Sequence, residues 1–310
     1  MLRFVLKRLA TSIVVIWVII TVTFILMKLC PGGPFDRERG LPEAVEKNIS
    51  ARYGLDQPFA RQYLRYLGSL LRGDLGPSYH YQGQGVNRLI AEKFPRSALI
   101  GLLSILLSIG VGVPAGVFCS ARQHRWGDRL TMLITIVGVS VPSFILATLL
   151  QYFGAVRWRL FNAAGFAGWR DAILPALALS VYSLAFITRL TRSSFLDVLH
   201  DDWVRAAYAK GLTPFRVFVR HVLRNAILPV ITYLGPLTAG VLTGSLVVEK
   251  IFSIPGLGGF FVTSVFSRDY PLIMGVTIFY SVFLVTLNLV VDVVYVWLDP
   301  RISYERTDAT

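Results

Sequence analysis

The residue types that carry out chemistry in proteins are few in this 310-residue chain, and they stand far apart. The four histidines, His80, His124, His200 and His221, occupy separate polar segments, and no two have the spacing of metal ligands. Serines are plentiful, but no histidine or lysine lies within an apolar run to activate one as a nucleophile. These patterns argue against a metal site and against a hydrolase buried in a membrane.

The sequence also lacks the usual pattern for binding a nucleotide. A phosphate-binding loop reads Gly-x-x-x-x-Gly-Lys followed by Ser or Thr, and the chain does not contain it. The cluster Gly256-Leu257-Gly258-Gly259 precedes an apolar run instead of following a strand. The sequence therefore predicts no site on this chain that could hold the phosphates of a nucleotide.

The segment 189–225 has the strongest local pattern. One apolar helical face is predicted from residues four apart, namely Phe195, Leu199, Trp203 and Ala207. Gly211 then ends that helix and Pro214 can begin the next. In this second helix an apolar face is formed by Phe215, Phe218, Val219, Val222 and Leu223. A basic stripe is formed by Arg216, Arg220 and Arg224.

We interpret this segment as a helix, a glycine turn and a helix outside the membrane. Its small residues, around Arg205-Ala206-Ala207 and Gly211, would let the surface of another protein approach closely. The alternative is that the arginines only hold the loop in the cytoplasm and reach lipid phosphates.

The composition identifies the elements that position this segment. Apolar residues make up 54% of the chain and charged residues 16%, and the mean hydropathy is +0.59. Soluble domains have about 45–50% apolar and about 25% charged residues. The runs with at most one charge are Leu9–Met27, Ala98–Cys119, Leu130–Val156, Ala172–Thr188, Ala226–Val248 and Pro271–Leu298. Because about 20 apolar residues cross a bilayer as a helix, these runs predict an all-α membrane protein with six spans.

Arginine and lysine in the short loops set the predicted orientation. They concentrate before the first run, between the second and third, and within 189–225, which places both termini in the cytoplasm. Basic residues beside anionic lipid account for the net charge of +13 without nucleic acid. The predicted parts are an N-terminal span (1–30), an outer segment (31–97), a core with the 189–225 loop (98–300) and a cytoplasmic tail (301–310).

The outer segment is too patterned to be a simple connector. It opens with Pro31-Gly32-Gly33-Pro34, a turn signal, and helical spacing follows in Leu41–Tyr53, Phe59–Leu71 and Val86–Phe94. Two interpretations remain open. The segment forms a small helical cap on the outer membrane surface, or it is an interfacial anchor with no part in function.

Several motifs resemble those of ATP-binding-cassette (ABC) importer permeases of the peptide/nickel branch. The main one is Arg205-Ala206-Ala207-Tyr208-Ala209-Lys210-Gly211-Leu212, followed by Leu228-Pro229, with arginine where the general pattern has glutamate. Further matches are Pro31-Gly32-Gly33-Pro34-Phe35, Tyr53-Gly54-Leu55-Asp56, Gly73-Asp74-Leu75-Gly76, Val141-Pro142-Ser143-Phe144, Ile254-Pro255-Gly256-Leu257-Gly258 and Asp299-Pro300-Arg301. Nearly the whole chain is covered, and the B-type subunit of oligopeptide permeases is the nearest pattern.

This resemblance implies the type I ABC importer permease fold in a bacterial inner membrane. The implied partners are a second permease, two cytoplasmic ATPase subunits that carry the ATP and Mg²⁺, and an extracytoplasmic peptide-binding protein. The implied cargo is oligopeptides, with dipeptides, murein peptides or nickel as alternatives. Coupling to the ATPases would fall on residues of the glycine turn: Arg205, Ala206, Ala207, Lys210, Gly211, Leu212, Pro214 and Arg216. A proton-coupled secondary transporter is the distant alternative, and the sequence lacks its inverted repeats and midplane carboxylates.

Polar residues within or beside the spans are candidates for the translocation path or an outer gate: Ser140, Ser143, Tyr182, Ser183, Thr243, Ser245, Glu249, Pro255, Gly256 and Tyr280. Most hydroxyls in membrane helices instead bond within the protein. Glu249, before a Pro-Gly turn, is the preferred gate candidate, although Pro255 and its glycines could simply end one helix and start another. Asp292 either lines a pathway or pairs with an arginine of the first span or of the 189–225 loop.

Overall fold

The computed structural model describes residues 2–29, 56–81, 83–242 and 246–298. Regular structure in these residues is helical, and the one β contact described joins Pro77 and Gly85 as an isolated bridge. The all-α prediction is confirmed.

Thirteen α-helices follow one another along the described chain: α1 Leu2–Leu29, α2 Phe59–Leu71, α3 Val86–Ala121, α4 Trp126–Ser140, α5 Ser143–Leu150, α6 Ile173–Leu199, α7 Asp202–Ala209, α8 Pro214–Val217, α9 Leu223–Ala226, α10 Leu228–Leu242, α11 Leu246–Ile251, α12 Leu257–Phe266 and α13 Tyr270–Leu298. Shorter π- and 3₁₀-helical turns cover Gln151–Arg157, Phe218–Val222 and Trp169–Ala172.

Five helical segments are long and apolar enough to cross a membrane: Leu6–Leu29, Val86–Ala121, Trp169–Leu199, Leu228–Ile251 and Tyr270–Val294. The sixth predicted span, Leu130–Val156, is not one straight helix, because α4 and α5 meet at an angle of 100°. Pro142 explains the bend: it disfavours helical backbone at Val141, whose ψ is 120°. The described residues thus have five helical spans, or six if this bent pair counts as one.

Helices α3 and α6 form the centre of the core, and glycines let them pack closely. A Cβ added at Gly116 would lie 2.5 Å from Thr191 Cβ and 2.6 Å from the Thr188 carbonyl oxygen. At Gly112 it would lie 3.0 Å from the Leu184 carbonyl oxygen. Small residues permit such an approach between membrane helices, where packing replaces the hydrophobic effect as the main attraction.

Helix α1 packs along α13, and an ion pair joins them. Arg8 Nη1 lies 3.2 Å from Asp292 Oδ2. This confirms that Asp292 pairs with an arginine of the first span. Only 6% of the residues in the most apolar stretch of α1 are buried within the chain, so much of this helix faces outward.

The outer segment packs on α1 through α2, whose predicted bounds are confirmed. Phe24 of α1 meets the rings of Phe59 and Tyr63 edge to face, with centroids 5.2 and 5.3 Å apart. The Thr21 and Tyr63 hydroxyls lie 2.6 Å apart. The prediction for Leu41–Tyr53 lies outside the described residues.

Residues 86–94 do not form a separate amphipathic helix, as the sequence predicts, but the first turns of the long helix α3. The predicted boundary at residue 97 therefore lies inside a helix. Pro95 is tolerated there, and the helix continues through it to Ala121.

Candidate functional site

The segment 189–225 continues from α6 into α7 and then into a second helical stretch, in which α8, the π-helical turn Phe218–Val222 and α9 follow one another directly. The prediction of one continuous helix through Phe195 and Ala207 was wrong, because α6 ends at Leu199 and α7 begins at Asp202. Asp201 explains the break: its backbone is extended, with φ −65° and ψ 142°, as at the residue before a helix. Its carboxylate accepts a hydrogen bond from Trp203 Nε1 at 3.0 Å.

Gly211 ends α7 in the left-handed conformation, with φ +79°. The Gly211 amide donates to the Tyr208 carbonyl at 2.9 Å, and the Leu212 amide donates to the Ala207 carbonyl at 3.3 Å. This pair of bonds is a Schellman motif, which satisfies carbonyls at a helix end and needs positive φ at the glycine. The glycine turn is therefore confirmed, and its cause is backbone conformation, since a Cβ built at Gly211 meets nothing within 4 Å.

Pro214 begins α8, as predicted, after an extended Thr213. Beneath the turn lies a buried apolar group that we term the base cluster: Phe195, Val204, Ala207, Val217, Val222 and Ala226. Leu212 and, from α3, Val117 pack against it. The turn is thus mounted on the ends of two core helices.

The outward face of this segment, which we term the coupling corner (residues 202–217), carries exposed side chains. Arg205, Lys210 and Arg216 are exposed, and Arg205 makes only a long contact of 3.9 Å with Asp202. Phe215 was predicted on the buried face, and this was wrong: it is 77% exposed, and Val217 occupies the buried position. The corner therefore presents an apolar ring among cations above the buried base cluster.

A second site surrounds Glu249 at the other end of the core. Glu249 is buried, with its carboxylate between α3 and the start of α12. Oε1 accepts a hydrogen bond from Ser97 Oγ at 2.7 Å, and Oε2 accepts one from the Gly259 amide at 3.1 Å. Ser97 Oγ in turn accepts from the Leu257 amide at 2.9 Å. A carboxylate at the first turn of a helix is favoured by free amide groups and by the helix dipole.

Glycine at 256 is required by this arrangement, which we term the Glu249 clasp (Ser97, Glu249 and Gly256–Gly259). A Cβ at Gly256 would lie 2.6 Å from both Glu249 Oε2 and Ser97 Oγ. At Gly258 it would lie 3.1 Å from Glu249 Oε2. Pro255 is exposed, and its carbonyl accepts a hydrogen bond from Arg96 Nη1 at 3.3 Å.

The other path candidates differ in exposure. Ser140 is exposed and donates to the Ile136 carbonyl of its own helix at 2.8 Å, and Tyr182 is exposed on α6. Ser183 is buried, and the Tyr280 hydroxyl is buried with no hydrogen-bond partner. Ser143 is half-buried at the start of α5. Thr243 and Ser245 lie outside the described residues.

Asp269 is a functional-looking carboxylate that the sequence analysis missed. It is fully buried and accepts hydrogen bonds from the Ser78 hydroxyl, from the Tyr79 and His80 amides at 3.1 Å each, and from the Leu272 amide at 3.2 Å. It thus caps α13 and holds the loop that contains Ser78, Tyr79 and His80. The signal was Asp269-Tyr270-Pro271, a capping residue followed by proline early in a helix. Burial, and then the charge of Asp269, raises the pKa of the neighbouring Tyr81.

A second missed pair lies on the side of the core near the coupling corner. Arg192 donates to the two oxygens of buried Asp128 through Nε at 2.6 Å and Nη2 at 2.8 Å. The His124 amide donates to the same carboxylate at 3.0 Å. This fork ties the start of α4 to α6, and nothing in the local sequence distinguishes Arg192 from the other arginines nearby. No group of three His, Cys, Asp or Glu side chains able to hold a metal occurs in the part of the chain that the structure describes.

Known proteins have sequences similar to this chain over nearly its full length. Residues 112–304 match the family "Binding-protein-dependent transport system inner membrane component", and residues 1–99 match the N-terminal region of such membrane components. The chain is 47% identical over 306 residues to the dipeptide transport system permease protein DppB of Bacillus subtilis (strain 168), covering 99% of each. It is 41% identical over 306 residues to the oligopeptide transport system permease protein OppB of Escherichia coli (strain K12), covering 98% of this chain and 100% of that protein.

Among solved structures, the methionine ABC transporter MetNI in an inward-facing conformation has a similar fold. The TM-score is 0.54 at 16% identity, covering 68% of this chain and 96% of that chain. At this identity the likeness concerns the fold alone, which is that of type I ABC importer permeases.

Proposed function

Because this chain belongs to the family of binding-protein-dependent transport system inner membrane components, we propose that it is a permease subunit of an ATP-driven peptide importer. Full-length similarity to dipeptide and oligopeptide permeases supports peptides as cargo, over nickel. Oligopeptides are the proposed class, and dipeptides or murein peptides are the alternatives. The proposed partners are a second permease, two ATPase subunits and an extracytoplasmic peptide-binding protein.

The observation that carries the proposal is the coupling corner. Its exposed Phe215 and cations can dock in a recess of an ATPase subunit, with the glycine turn keeping the surface low enough for close approach. The base cluster connects the corner to α6 and, through Val117, to α3. A displacement of the ATPases is therefore transmitted to the two central helices as a rigid-body motion. ATP and Mg²⁺ bind to the ATPase subunits in this mechanism.

The proposed transport step is alternating access in the inner membrane, with both termini in the cytoplasm. A path between two permeases has to be lined by residues that are exposed on each subunit. Ser140 and Tyr182 meet this condition, whereas Ser183 and Glu249 lie inside the chain. We therefore propose that Ser140 and Tyr182 line the path. For Glu249 we propose the role of holding the loop between α11 and α12 in place.

The hydrogen bonds made by two buried carboxylates, Asp128 and Glu249, disfavour a proton-coupled secondary transporter. Asp128 accepts hydrogen bonds from Arg192 and His124, and Glu249 accepts from Ser97 and Gly259. A proton carrier has to exchange its proton with water during each cycle. Both carboxylates are instead committed to donors within the protein.

Reconstitution tests the proposed function. The chain would be placed in liposomes with the partner permease, the two ATPases and the binding protein. Uptake of radiolabelled dipeptide, pentapeptide and Ni²⁺ would be measured with ATP, with a non-hydrolysable analogue, and with a pH gradient alone. We expect peptide uptake with ATP only. Peptide uptake driven by the pH gradient, or Ni²⁺ uptake without peptide uptake, would overturn the proposal.

A further inference from the structure

A cavity of 280 Å³ lies where the C-terminal end of α1 meets α2, the loop at 74–79 and the start of α13. Its walls are largely apolar and aromatic, with Phe24 and Met27 from α1, Tyr66 from α2, and Pro271 and Met274 from α13. None of the path candidates or coupling residues lines it. It is therefore a site apart from the proposed transport machinery.

Two cations border this cavity. Lys28 lies in the last turn of the apolar helix α1, and Arg65 lies on α2, which is held against α1 by Phe24 and Thr21. Neither side chain forms an ion pair in the described part of the chain. The one carboxylate in the lining, Asp74, accepts a hydrogen bond from the Gly76 amide through Oδ1. The lining thus carries an excess of positive charge.

A neutral donor also belongs to the cavity lining. The Tyr66 hydroxyl is buried and has no hydrogen-bond partner. Because burial raises the pKa of Tyr66, this group keeps its proton and can donate it. A buried donor without an acceptor costs free energy, so an acceptor that enters here is favoured.

The position of the cavity identifies the kind of ligand. Lys28 ends an apolar span, which is the depth at which lipid head groups lie. Beside it, α2 presents Leu64 and Leu71, 66% and 90% exposed, among its arginines. An amphipathic helix of this kind lies in the membrane interface with its leucines toward the acyl chains. A ligand here meets phosphate-binding cations on one side and hydrocarbon on the other.

We propose that this cavity binds one anionic phospholipid of the leaflet that α1 reaches at Leu29. Lys28 and Arg65 hold its phosphate, Tyr66 donates to an oxygen of its glycerol or ester region, and Met27 and Met274 contact the start of an acyl chain. The bound lipid fills the space between α1 and α13 and links α2 to the membrane.

Native mass spectrometry of the full-length chain in a non-ionic detergent tests this proposal. The probes are dioctanoyl phosphatidylglycerol, dioctanoyl phosphatidylcholine and glycerol 3-phosphate. The test variant is Lys28→Gln with Arg65→Gln. The matched control is Arg61→Gln with Arg72→Gln. Arg61 on α2 and Arg72 directly after it are both exposed and do not line the cavity, and their replacement removes the same amount of charge.

We expect one phosphatidylglycerol per chain and an affinity at least about tenfold lower in the test variant, because two charge-assisted contacts are lost. The control should change the affinity less than about twofold. Equal loss in both variants would show non-specific attraction to basic residues and overturn the site. If glycerol 3-phosphate binds as tightly as phosphatidylglycerol, the cavity is a simple anion site and the lipid proposal is overturned. If phosphatidylcholine binds as tightly as phosphatidylglycerol, the proposed selection of an anionic head group is wrong. If the test variant misfolds, the comparison of the three probes on the unmodified chain still decides between these outcomes.

Discussion

The Ser97 hydroxyl donates to buried Glu249 over 2.7 Å and at the same time accepts from the first amide of α12. One side chain of α3 thus joins a carboxylate and a helix start that lie about 150 and 160 positions further along the chain. The Glu249 clasp therefore holds the loop between α11 and α12 against α3.

Replacing Ser97 with alanine should destabilise the protein, because the Leu257 amide loses its acceptor and Glu249 loses a donor in a buried site. A cost of about 1–3 kcal/mol is expected. Thermal unfolding followed by size-exclusion chromatography in detergent measures it. Ser140→Ala is the control, since Ser140 is exposed and bonds only within its helix. Equal midpoints for the two variants would contradict the clasp.

Gly256→Ala tests the space inside the clasp. The φ of Gly256 is −92°, which alanine adopts readily, so the expected loss is steric and amounts to about 1–3 kcal/mol. Gly110→Ala, in α3, is the matched control because its added Cβ meets nothing within 4 Å. The same unfolding assay should show a loss for Gly256→Ala only. A stable Gly256→Ala variant would mean that Glu249 and Ser97 can move apart freely.

At the coupling corner, Gly211→Val should abolish transport-linked ATP hydrolysis while the chain still inserts in the membrane. Positive φ is costly for any residue with a Cβ, by about 1–2 kcal/mol, and more for a β-branched one. The turn then has to rearrange, which displaces the surface that we propose contacts the ATPase. Peptide-stimulated ATPase activity in proteoliposomes measures the effect. Unchanged coupling would count against the corner.

Phe215→Ala separates contact from conformation at the same corner. Phe215 touches little of its own chain, so its removal should leave the unfolding midpoint unchanged and reduce peptide-stimulated ATP hydrolysis at least about tenfold. Trp126→Ala is the control, because Trp126 is also 77% exposed but lies outside the corner. Similar losses in both variants would point to a general effect of exposed aromatic residues.

Reversing the charges of the pair Arg8 and Asp292 tests the link between α1 and α13. Asp292→Arg and Arg8→Asp should each lower stability by about 0.5–1 kcal/mol, a modest value because both side chains are partly exposed. The double variant should recover most of this loss. Lys7→Asp, at an exposed neighbouring position, is the control for charge alone. Additive losses in the double variant would show that the pair does not interact.

Cysteine labelling tests the proposed orientation. In a chain without its native cysteines, Arg72→Cys and Lys210→Cys introduce thiols at exposed positions, directly after α2 and in the coupling corner. A membrane-impermeant maleimide added to intact cells should label position 72, and should label position 210 only after permeabilisation. The reverse pattern would overturn the cytoplasmic assignment of the corner.

The features that were predictable from sequence are those set by residues close together along the chain. Apolar runs of sufficient length cross a membrane wherever they occur, so five spans were found directly. Gly211 and Pro214 act through their own backbone preferences, and the turn between α7 and α8 follows from those two residues. The break at Asp201 was also available locally, but helical spacing continues across it and concealed the capping residue.

Only the tertiary structure decided which charges meet. Ser97 and Glu249, Ser78 and Asp269, and Arg192 and Asp128 come together because packing brings α3 to α11, the loop at Ser78 to the start of α13, and α6 to α4. No local preference favours one partner over another at such separations. Tertiary packing also placed Phe215 outside and Val217 inside, because a π-helical turn at Phe218–Val222 changes the rotation of the helix and so the face that meets the base cluster. Hydropathy describes how each helix relates to lipid and water, whereas the match of side chains between helices determines where buried polar groups find partners.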